Sequence, residues 1–310
     1  MKIIMIQNHI TENYLINSEL LACKIIDAIK NDEDIVLRTK EGKSCEANGL
    51  FKFLDNICSY YKFPKNKITI ETNNWSETHN EYNVIKAAFH YELSFFYQNN
   101  EVVPYNGSKY YGLFIGRADF NRIRTIILHK KLTIPSLSSF NHNFSTSAAE
   151  DEICKVLLNS DTTIDEIRKL VPYSDVGTII NPPITFPGSF YGENWKNIYS
   201  NIAIEIVCET TVYPNSFHIT EKTFRPIYYR RPFILIGAQG FIKKMQGLGF
   251  KMFDDIIECH KKTVVTPDEA IRIVQRLYST LSGQELLEAC KDQTEHNYNL
   301  LLEMANVFKK

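Results

Sequence analysis

Short apolar runs alternate with helix-like periodicity in the first part of the chain. Apolar runs at residues 2–7, 34–38 and 67–71 have the length of buried strands. Between them, residues 15–29 and 49–58 repeat apolar side chains at the spacing of one helix face. Because strands that alternate with helices are typical of a parallel sheet, this part predicts a Rossmann-like α/β unit.

A polar stretch rich in turn-forming residues, residues 99–109, interrupts this pattern and predicts a linker. The alternation then resumes with an apolar run at residues 110–115. We therefore predict an α/β fold with two Rossmann-like domains, residues 1–105 and residues 106–310, each with a parallel sheet. The last helix of the second domain is expected to pack back on the first.

The pattern is less regular in the middle of the chain. Residues 82–97 are rich in aromatic side chains and predict a helix, whereas residues 136–147 are rich in Ser and Asn and predict a mobile loop. Trp195 is predicted in a loop, where an aromatic ring can stack on a sugar or a base, although core packing is the commoner role. Further helices are predicted at residues 149–158, 163–170, 240–250, 267–279 and 284–308.

The most informative stretch is residues 204–253. It runs from an apolar strand, through a turn-rich gap with Pro214, into a helix and then a second apolar strand at residues 232–237. This order predicts one βαβ unit. Open α/β sheets bind ligands where a strand ends and the next helix begins, so the polar residues there are the first candidates for a site.

Four such residues are Glu209, Thr220, Glu221 and Lys222. Thr220 is a predicted N-cap, which places Glu221 and Lys222 in the first helical turn beside unpaired N–H groups that favour a phosphate. Lysine can neutralise a diphosphate there, and glutamate can accept hydrogen bonds from ribose hydroxyls. A capped helix with surface charges explains the same residues equally well.

Arginines follow the strand at residues 110–115 in the same topological position. Arg117, Arg122 and Arg124 lie in or just after the strand-to-helix turn, where a guanidinium can clamp a phosphate with two hydrogen bonds. A solvated helix face is the alternative interpretation. The sequence has no GxGxxG and no GxxxxGK[ST] pattern, so neither a dinucleotide fingerprint nor a P-loop is predicted.

In the first part, Glu77 and His79 belong to a polar cluster that follows the strand at residues 67–71. A carboxylate or a histidine at this position can act as a general base, so both are candidate catalytic residues. A polar loop without a catalytic role is the competing interpretation.

Composition narrows the class of protein. The apolar fraction is 44%, the charged fraction is 23% and the formal net charge is −1, so no global field favours nucleic acid or an anionic membrane. No run of about 18 apolar residues predicts a membrane span. The seven cysteines are scattered, without a CxxC pair, and favour reduced thiols in a cytoplasmic protein over a disulfide or zinc framework. No metal-binding motif is present, so no metal cofactor is predicted.

Residues 204–253 resemble the C-terminal donor domain of the α-1,3-fucosyltransferases. In that family an apolar strand leads into a Phe-Glu-Asn-Ser turn, then Tyr-x-Thr-Glu-Lys, a helix and a strand that begins with proline. Residues 206–211 (IVCETT) and 218–222 (HITEK) match these motifs, and Pro232 follows at a suitable distance. Residues 115–122 resemble the family's strand and loop that lead to an arginine, although the Ser-Asn of that loop is absent.

The resemblance implies a GT-B enzyme with two Rossmann-like domains, a cleft between them and no metal. A nucleotide sugar, GDP- or UDP-linked, would bind the C-terminal domain, and the acceptor would be a hydroxyl, such as that of a glycan. By carry-over Glu221 would hold the ribose, Lys222 a phosphate and Arg122 a second phosphate position, with Glu209 near the donor sugar. Because Thr210-Thr211 replaces Asn-Ser and His218 replaces the tyrosine, the sugar need not be fucose.

The whole chain is also similar to glycosyltransferase-like proteins of bacteria and large phages or viruses. An alternative within this class is transfer to a modified DNA base, which local basic patches permit but the near-neutral net charge disfavours. An alternative from another class is a binding module for nucleotides or glycans that has no catalytic activity.

Overall fold

The chain divides into two compact units in a computed structural model. The first unit comprises Met1–Tyr91 together with Thr211–His218, and the second comprises Glu92–Thr210 together with Ile219–Lys310. This division lies at Tyr91 and Glu92, whereas the sequence placed the boundary at residue 105. The structure describes residues 1–5, 18–38, 45–46, 49–72, 74, 77–86, 102–116, 119–140, 163, 169, 173–174, 193–209, 217–262 and 264–307.

The first unit contains a four-stranded parallel sheet in the order β1-β2-β3-β4. Its apolar core contains residues of β1, β2 and β3 together with the buried faces of α1 and α2. Burial of these faces, at roughly 25 cal/mol per Å² of apolar surface, is the main source of stability for this sheet. The elements are β1 (Lys2–Met5), α1 (Ser18–Lys30), β2 (Ile35–Arg38), α2 (Leu50–Tyr61), a 3-10 helix (Lys65–Lys67), β3 (Ile68–Thr72) and β4 (Asn83–Lys86).

The prediction of a helix at residues 82–97 is wrong at its start, because Asn83–Lys86 is the parallel edge strand β4. Tyr82, directly before the strand, is buried in the core, and its hydroxyl donates to Asp55 at 2.7 Å. Pairing with β3 therefore overrides the helical periodicity of this segment, as sheet contacts often do. Residues 87–97 lie outside the described residues.

The second unit contains a five-stranded sheet in the order β7-β6-β5-β8-β9. All neighbouring strands are parallel except β7, which is antiparallel to β6. The strands are β5 (Tyr111–Ile115), β6 (Ser136–Phe140), β7 (Tyr173–Ser174), β8 (Ile204–Cys208) and β9 (Phe233–Ile236). The helices are α3 (Phe120–Lys130), α4 (Glu193–Asn201), α5 (Glu221–Tyr228), α6 (Phe241–Gly247), α7 (Pro267–Thr280) and α8 (Gly283–Val307), with a 3-10 helix at Glu258–Lys261.

The sheet of the second unit reverses its direction of growth between β5 and β8. The chain leaves β5 through α3 and adds β6 on one side, whereas it leaves β8 through α5 and adds β9 on the other side. The carboxyl ends of β5 and β8 are therefore adjacent at a topological switch point. In open α/β sheets, this is the position at which ligands bind.

Two predictions for the second unit are corrected. Ser136–Phe140, expected to begin a mobile loop, is strand β6, since Leu137 and Phe140 are buried and the strand pairs along its length with β5. Trp195, expected in a loop, lies in α4 and is 1% exposed. The signal for α4 was available, because Trp195, Ile198 and Tyr199 have the spacing of one helix face.

The predicted linker is part of the second unit where the structure describes it. The backbone N–H of Asn106 donates to Ser200 O at 2.8 Å, and that of Lys109 donates to Asn201 O at 3.0 Å, at the end of α4. Residues 99–101 lie outside the described residues. The segment that follows them is thus held by backbone hydrogen bonds and does not behave as a free connection.

The fold is mixed α/β with two largely parallel sheets, as the alternation of strands and helices predicted. The predicted strands of residues 204–208 and 232–237 correspond to β8 and β9, and the helices of residues 267–279 and 284–308 to α7 and α8. The helix predicted at residues 149–158 and all but two residues of the one predicted at 163–170 lie outside the described residues.

Candidate functional site

The start of α5 follows from the chemistry of Thr220. This residue has the extended backbone of an N-cap, and its hydroxyl oxygen accepts from Lys222 N at 3.3 Å. The backbone N–H groups of Thr223 and Phe224 return to Thr220 O at 3.1 and 3.2 Å. The helix therefore begins at Glu221, as the sequence predicted, and its cap Thr220 bonds to Glu209, the residue that follows β8.

Glu209 follows the last residue of β8 and is 2% exposed. One carboxylate oxygen accepts from Thr220 N at 3.1 Å and from the Thr223 hydroxyl at 2.5 Å, and the other accepts from the Thr220 hydroxyl at 2.7 Å. A buried carboxylate is costly unless such donors surround it. Glu209 thus joins the end of β8 to the first turn of α5.

Glu221 and Lys222 form an ion pair with each other at the start of α5. Their side chains are 15% and 18% exposed, respectively. Burial acts to raise the pKa of Glu221, but the Lys222 ammonium, with a further contribution from Arg225, outweighs burial, and the pKa lies below its usual range. The Lys222 ammonium also lies 3.4 Å from the Thr220 hydroxyl oxygen.

Arg122 crosses the switch point from the other side. Its Nε lies 3.1 Å from an oxygen of Asp119, the N-cap of α3, and its Nη2 donates to Cys208 O at 3.2 Å. The side chain is 2% exposed. The guanidinium of Arg122 thus already binds the N-cap of α3 and the end of β8, and a direct contact with a phosphate remains a prediction.

A buried cluster that the sequence analysis missed fixes α5 against β8. Arg225 Nη2 lies 2.8 Å from Glu205 Oε1, and its guanidinium carbon lies 3.9 Å from the centre of the Trp195 ring. The Tyr199 hydroxyl donates to Glu205 and accepts from Arg225 Nε at 3.1 Å. Burial raises the pKa of Glu205 despite the guanidinium. A glutamate inside an otherwise apolar strand was the available signal for this cluster.

Glu77 belongs to the first unit and holds an irregular connection together. Its carboxylate accepts from the backbone N–H groups of Cys45 at 2.8 Å and Glu46 at 3.2 Å, and from Asn74 Nδ2 at 3.1 Å. Asn74 Oδ1 in turn accepts from Phe217 N at 3.0 Å. These bonds satisfy backbone groups of the connection between β2 and α2 and tie it to the connection between β3 and β4.

His79 lies in the same connection. Its Nδ1 lies 3.1 Å from Glu81 N and 3.4 Å from Tyr82 N, so the ring accepts from backbone N–H groups. A neutral imidazole with an accepting Nδ1 carries its proton on Nε2. The ring also packs 4.3 Å from that of Phe51. A role as general base therefore requires Glu77 or His79 to give up bonds that it makes in this structure.

The remaining predicted site residues are Arg117 and Arg124. Arg117 lies outside the described residues. Arg124 forms two hydrogen bonds with Asp268 of α7, at 2.9 and 3.2 Å. The structure therefore brings together Arg122, Glu209, Thr220, Glu221 and Lys222 in the second unit and places Glu77 and His79 in the first.

Within the described residues, no group of three or more His, Cys, Asp or Glu side chains is arranged to hold a metal ion. The helices in this part of the chain include none that is both long and apolar enough to cross a membrane. No protein-family model matches the sequence, and neither does any curated protein.

Proposed function

We propose that the chain is a glycosyltransferase that moves a sugar from a nucleotide-diphosphate donor to a hydroxyl acceptor. The donor's diphosphate would bind at the start of α5, and GDP- and UDP-linked sugars are the candidate donors. The proposal extends the resemblance of residues 204–253 to the donor domain of the α-1,3-fucosyltransferases, and a glycan is the favoured acceptor.

The observation that carries this proposal is the position of Thr220, Glu221 and Lys222. Thr220 caps α5, and Glu221 and Lys222 are its first two residues. Thr220 is bonded to Glu209, which follows β8 at the switch point. The positive end of a helix dipole and a lysine at such a point are suited to a phosphate group. The neighbouring carboxylate of Glu221 is suited to hydroxyl donors, so the pair favours a ligand that carries both chemistries.

Binding would change the partners of this pair. Because the Lys222 ammonium is bound to Glu221, a phosphate that contacts the lysine would compete with that carboxylate for it. The released Glu221 then accepts hydrogen bonds from ribose hydroxyls. A nucleoside diphosphate offers partners to both side chains, whereas pyrophosphate offers one to Lys222 alone.

The chemical role proposed for the first turn of α5 is to stabilise the leaving group. In the transfer, the acceptor oxygen bonds to the anomeric carbon, and the bond from that carbon to the donor's β-phosphate oxygen breaks. The acceptor proton passes to a base, for which Glu77 and His79 remain predictions. Lys222 and the positive end of the α5 dipole would stabilise the negative charge that develops on the diphosphate, without a metal ion.

Calorimetric titration with GDP, UDP and pyrophosphate tests the donor site. We expect GDP or UDP to bind more tightly than pyrophosphate, and Lys222→Ala to weaken nucleotide binding by about tenfold or more, the effect of losing a charge-assisted contact. Lys243→Ala, which removes an exposed lysine of α6 in the same unit, is the matched control and should bind as the wild type does.

Transfer itself is tested by mass spectrometry with GDP- and UDP-sugars and a panel of glycan acceptors, in the presence of excess EDTA. Sugar transfer that Lys222→Ala abolishes supports the proposal. If neither nucleoside diphosphate binds, the donor site is wrong. If a nucleotide binds but its sugar conjugate is neither transferred nor hydrolysed, the chain is a binding module instead.

A further inference from the structure

We propose that Glu209 is a positioning residue that acts through Thr220 to hold the Lys222 ammonium in place for a ligand. The inference rests on the proposed function, since it concerns the same turn of α5. It differs from the role that the resemblance implies, a place near the donor sugar. The inference is supported by the burial of Glu209 and by the hydrogen bonds that it accepts from Thr220 and Thr223.

Glu209 completes a helix cap from outside the helix. In a capping box, a Glu or Gln at the third helical position accepts from the N–H of the N-cap residue. That position in α5 is Thr223, and Glu209 at the end of β8 accepts from Thr220 N instead. Helix α7 has an ordinary capping box, which is formed by Thr266 and Glu269. The capping carboxylate of α5 is therefore tied to the sheet.

The same carboxylate sets the direction of the Thr220 hydroxyl. Threonine has a single hydroxyl proton, and Thr220 donates it to Glu209 Oε2 at 2.7 Å. Its oxygen can then only accept from its other neighbours, which are Lys222 N at 3.3 Å and Lys222 Nζ at 3.4 Å. Glu209 thus presents an acceptor to the lysine through one intervening hydroxyl.

This acceptor matters because of where the ammonium lies. A cation near the N-terminus of a helix is unfavourable, since the aligned peptide dipoles place positive charge there. Lys222 is held at this position by Glu221 and by the Thr220 oxygen. When a ligand's phosphate replaces Glu221, the Thr220 oxygen remains as the protein acceptor. Without Glu209, the Thr220 hydroxyl can point its proton toward Lys222. Its oxygen then no longer accepts from the ammonium, which loses this contact.

Nucleotide titration of matched variants tests the inference. We expect Glu209→Gln and Thr220→Val each to weaken GDP or UDP binding by about tenfold, and Thr220→Ser, which keeps the hydroxyl, to restore most of what Thr220→Val loses. Glu269→Gln removes the equivalent carboxylate from α7. Because glutamine also completes a capping box, this variant should change the melting temperature little and leave nucleotide affinity unchanged.

A ligand-free measurement separates this inference from the proposed function. In protein labelled with [15N]lysine, the ammonium signal of Lys222 is identified by its loss in Lys222→Ala. We expect this signal to shift or broaden in Glu209→Gln and Thr220→Val and to stay unchanged in Glu269→Gln. Failure of the wild type to bind any nucleoside diphosphate would refute the proposed function, and the Lys222 signal would still decide the role of Glu209.

The inference is overturned if Glu209→Gln lowers the melting temperature but leaves the Lys222 signal as in the wild type. Glu209 would then be a structural cap and nothing more. The inference is also overturned if the wild type binds GDP or UDP and the folded Glu209→Gln protein binds the same nucleotide with unchanged affinity.

Discussion

Arg225 of α5 and Glu205 of β8 form an ion pair in the interior of the second unit, with Nη2 and Oε1 2.8 Å apart and both side chains at most 3% exposed. The Tyr199 hydroxyl lies between them and bonds to both. Since α5 carries the candidate site, this pair ties the site to the centre of the sheet.

Arg225→Met should destabilise the protein by about 3–5 kcal/mol, because it leaves the Glu205 carboxylate buried without its cation. The double variant Glu205→Gln/Arg225→Met should recover much of this loss, since the neutral amide still accepts from Tyr199. Urea unfolding followed by circular dichroism measures both. If the single variant lowers the free energy of unfolding by less than about 1 kcal/mol, the ion pair contributes little to stability.

Glu77→Ala should destabilise the first unit by about 2 kcal/mol or more, because the N–H groups of Cys45 and Glu46 lose a buried acceptor. Hydrogen exchange at these two amides reports the effect directly and should become faster. A variant that keeps wild-type exchange rates and stability but loses transfer activity would instead support a catalytic role for Glu77.

Gly283→Ala should destabilise the start of α8, because an added Cβ would lie 2.4 Å from the Tyr105 hydroxyl oxygen. That hydroxyl is held by Lys109 O at 2.7 Å, so it cannot move away without losing a bond. We expect a loss of about 1–3 kcal/mol in urea unfolding. Gly247→Ala is the control: a Cβ there meets nothing within 4 Å, and the change should be neutral or stabilising.

Stability should fall as the solution becomes acidic, in part through His260. This buried ring accepts from Leu235 N at 3.1 Å through Nε2 and lies 2.5 Å from Met252 O through Nδ1, and burial lowers its pKa to about 4. Burial, with a smaller effect of Lys130, likewise lowers the pKa of His129 to about 4. At a pH between about 4 and about 6.5, both rings are therefore neutral in the folded protein and protonated in the unfolded chain.

Because the unfolded chain binds more protons between pH of about 6.5 and about 4, the free energy of unfolding must decrease as the pH falls through this window, by at most about 3 kcal/mol per histidine. Urea unfolding at several pH values measures the slope. His260→Gln removes one of the two groups and should reduce that slope. An equal slope in the variant would mean that His260 does not titrate in this window.

Local patterns predicted the parts of the site that depend on neighbouring residues. The apolar run of residues 204–208 and the capping threonine before Glu221 were enough to locate β8 and the start of α5, because strand burial and helix capping act over a few residues. The same reasoning failed for β4, where pairing with β3 outweighs a helix-like distribution of aromatic residues. It also missed α4, which has weak helix formers such as Asn197 and Asn201 between its apolar positions.

The sequence by itself determined that this is an α/β protein with charged residues at a strand-to-helix turn, since periodicity and capping are local properties of the chain. Only the tertiary structure decided which groups those charges bind within the protein. Arg122 bonds to Cys208, 86 positions away, Glu77 to Cys45, 32 positions away, and Glu209 to Thr220, 11 positions away. Such partners are set by the order of strands in the sheet and by burial, which demands that each buried polar group be satisfied wherever its partner lies in the sequence.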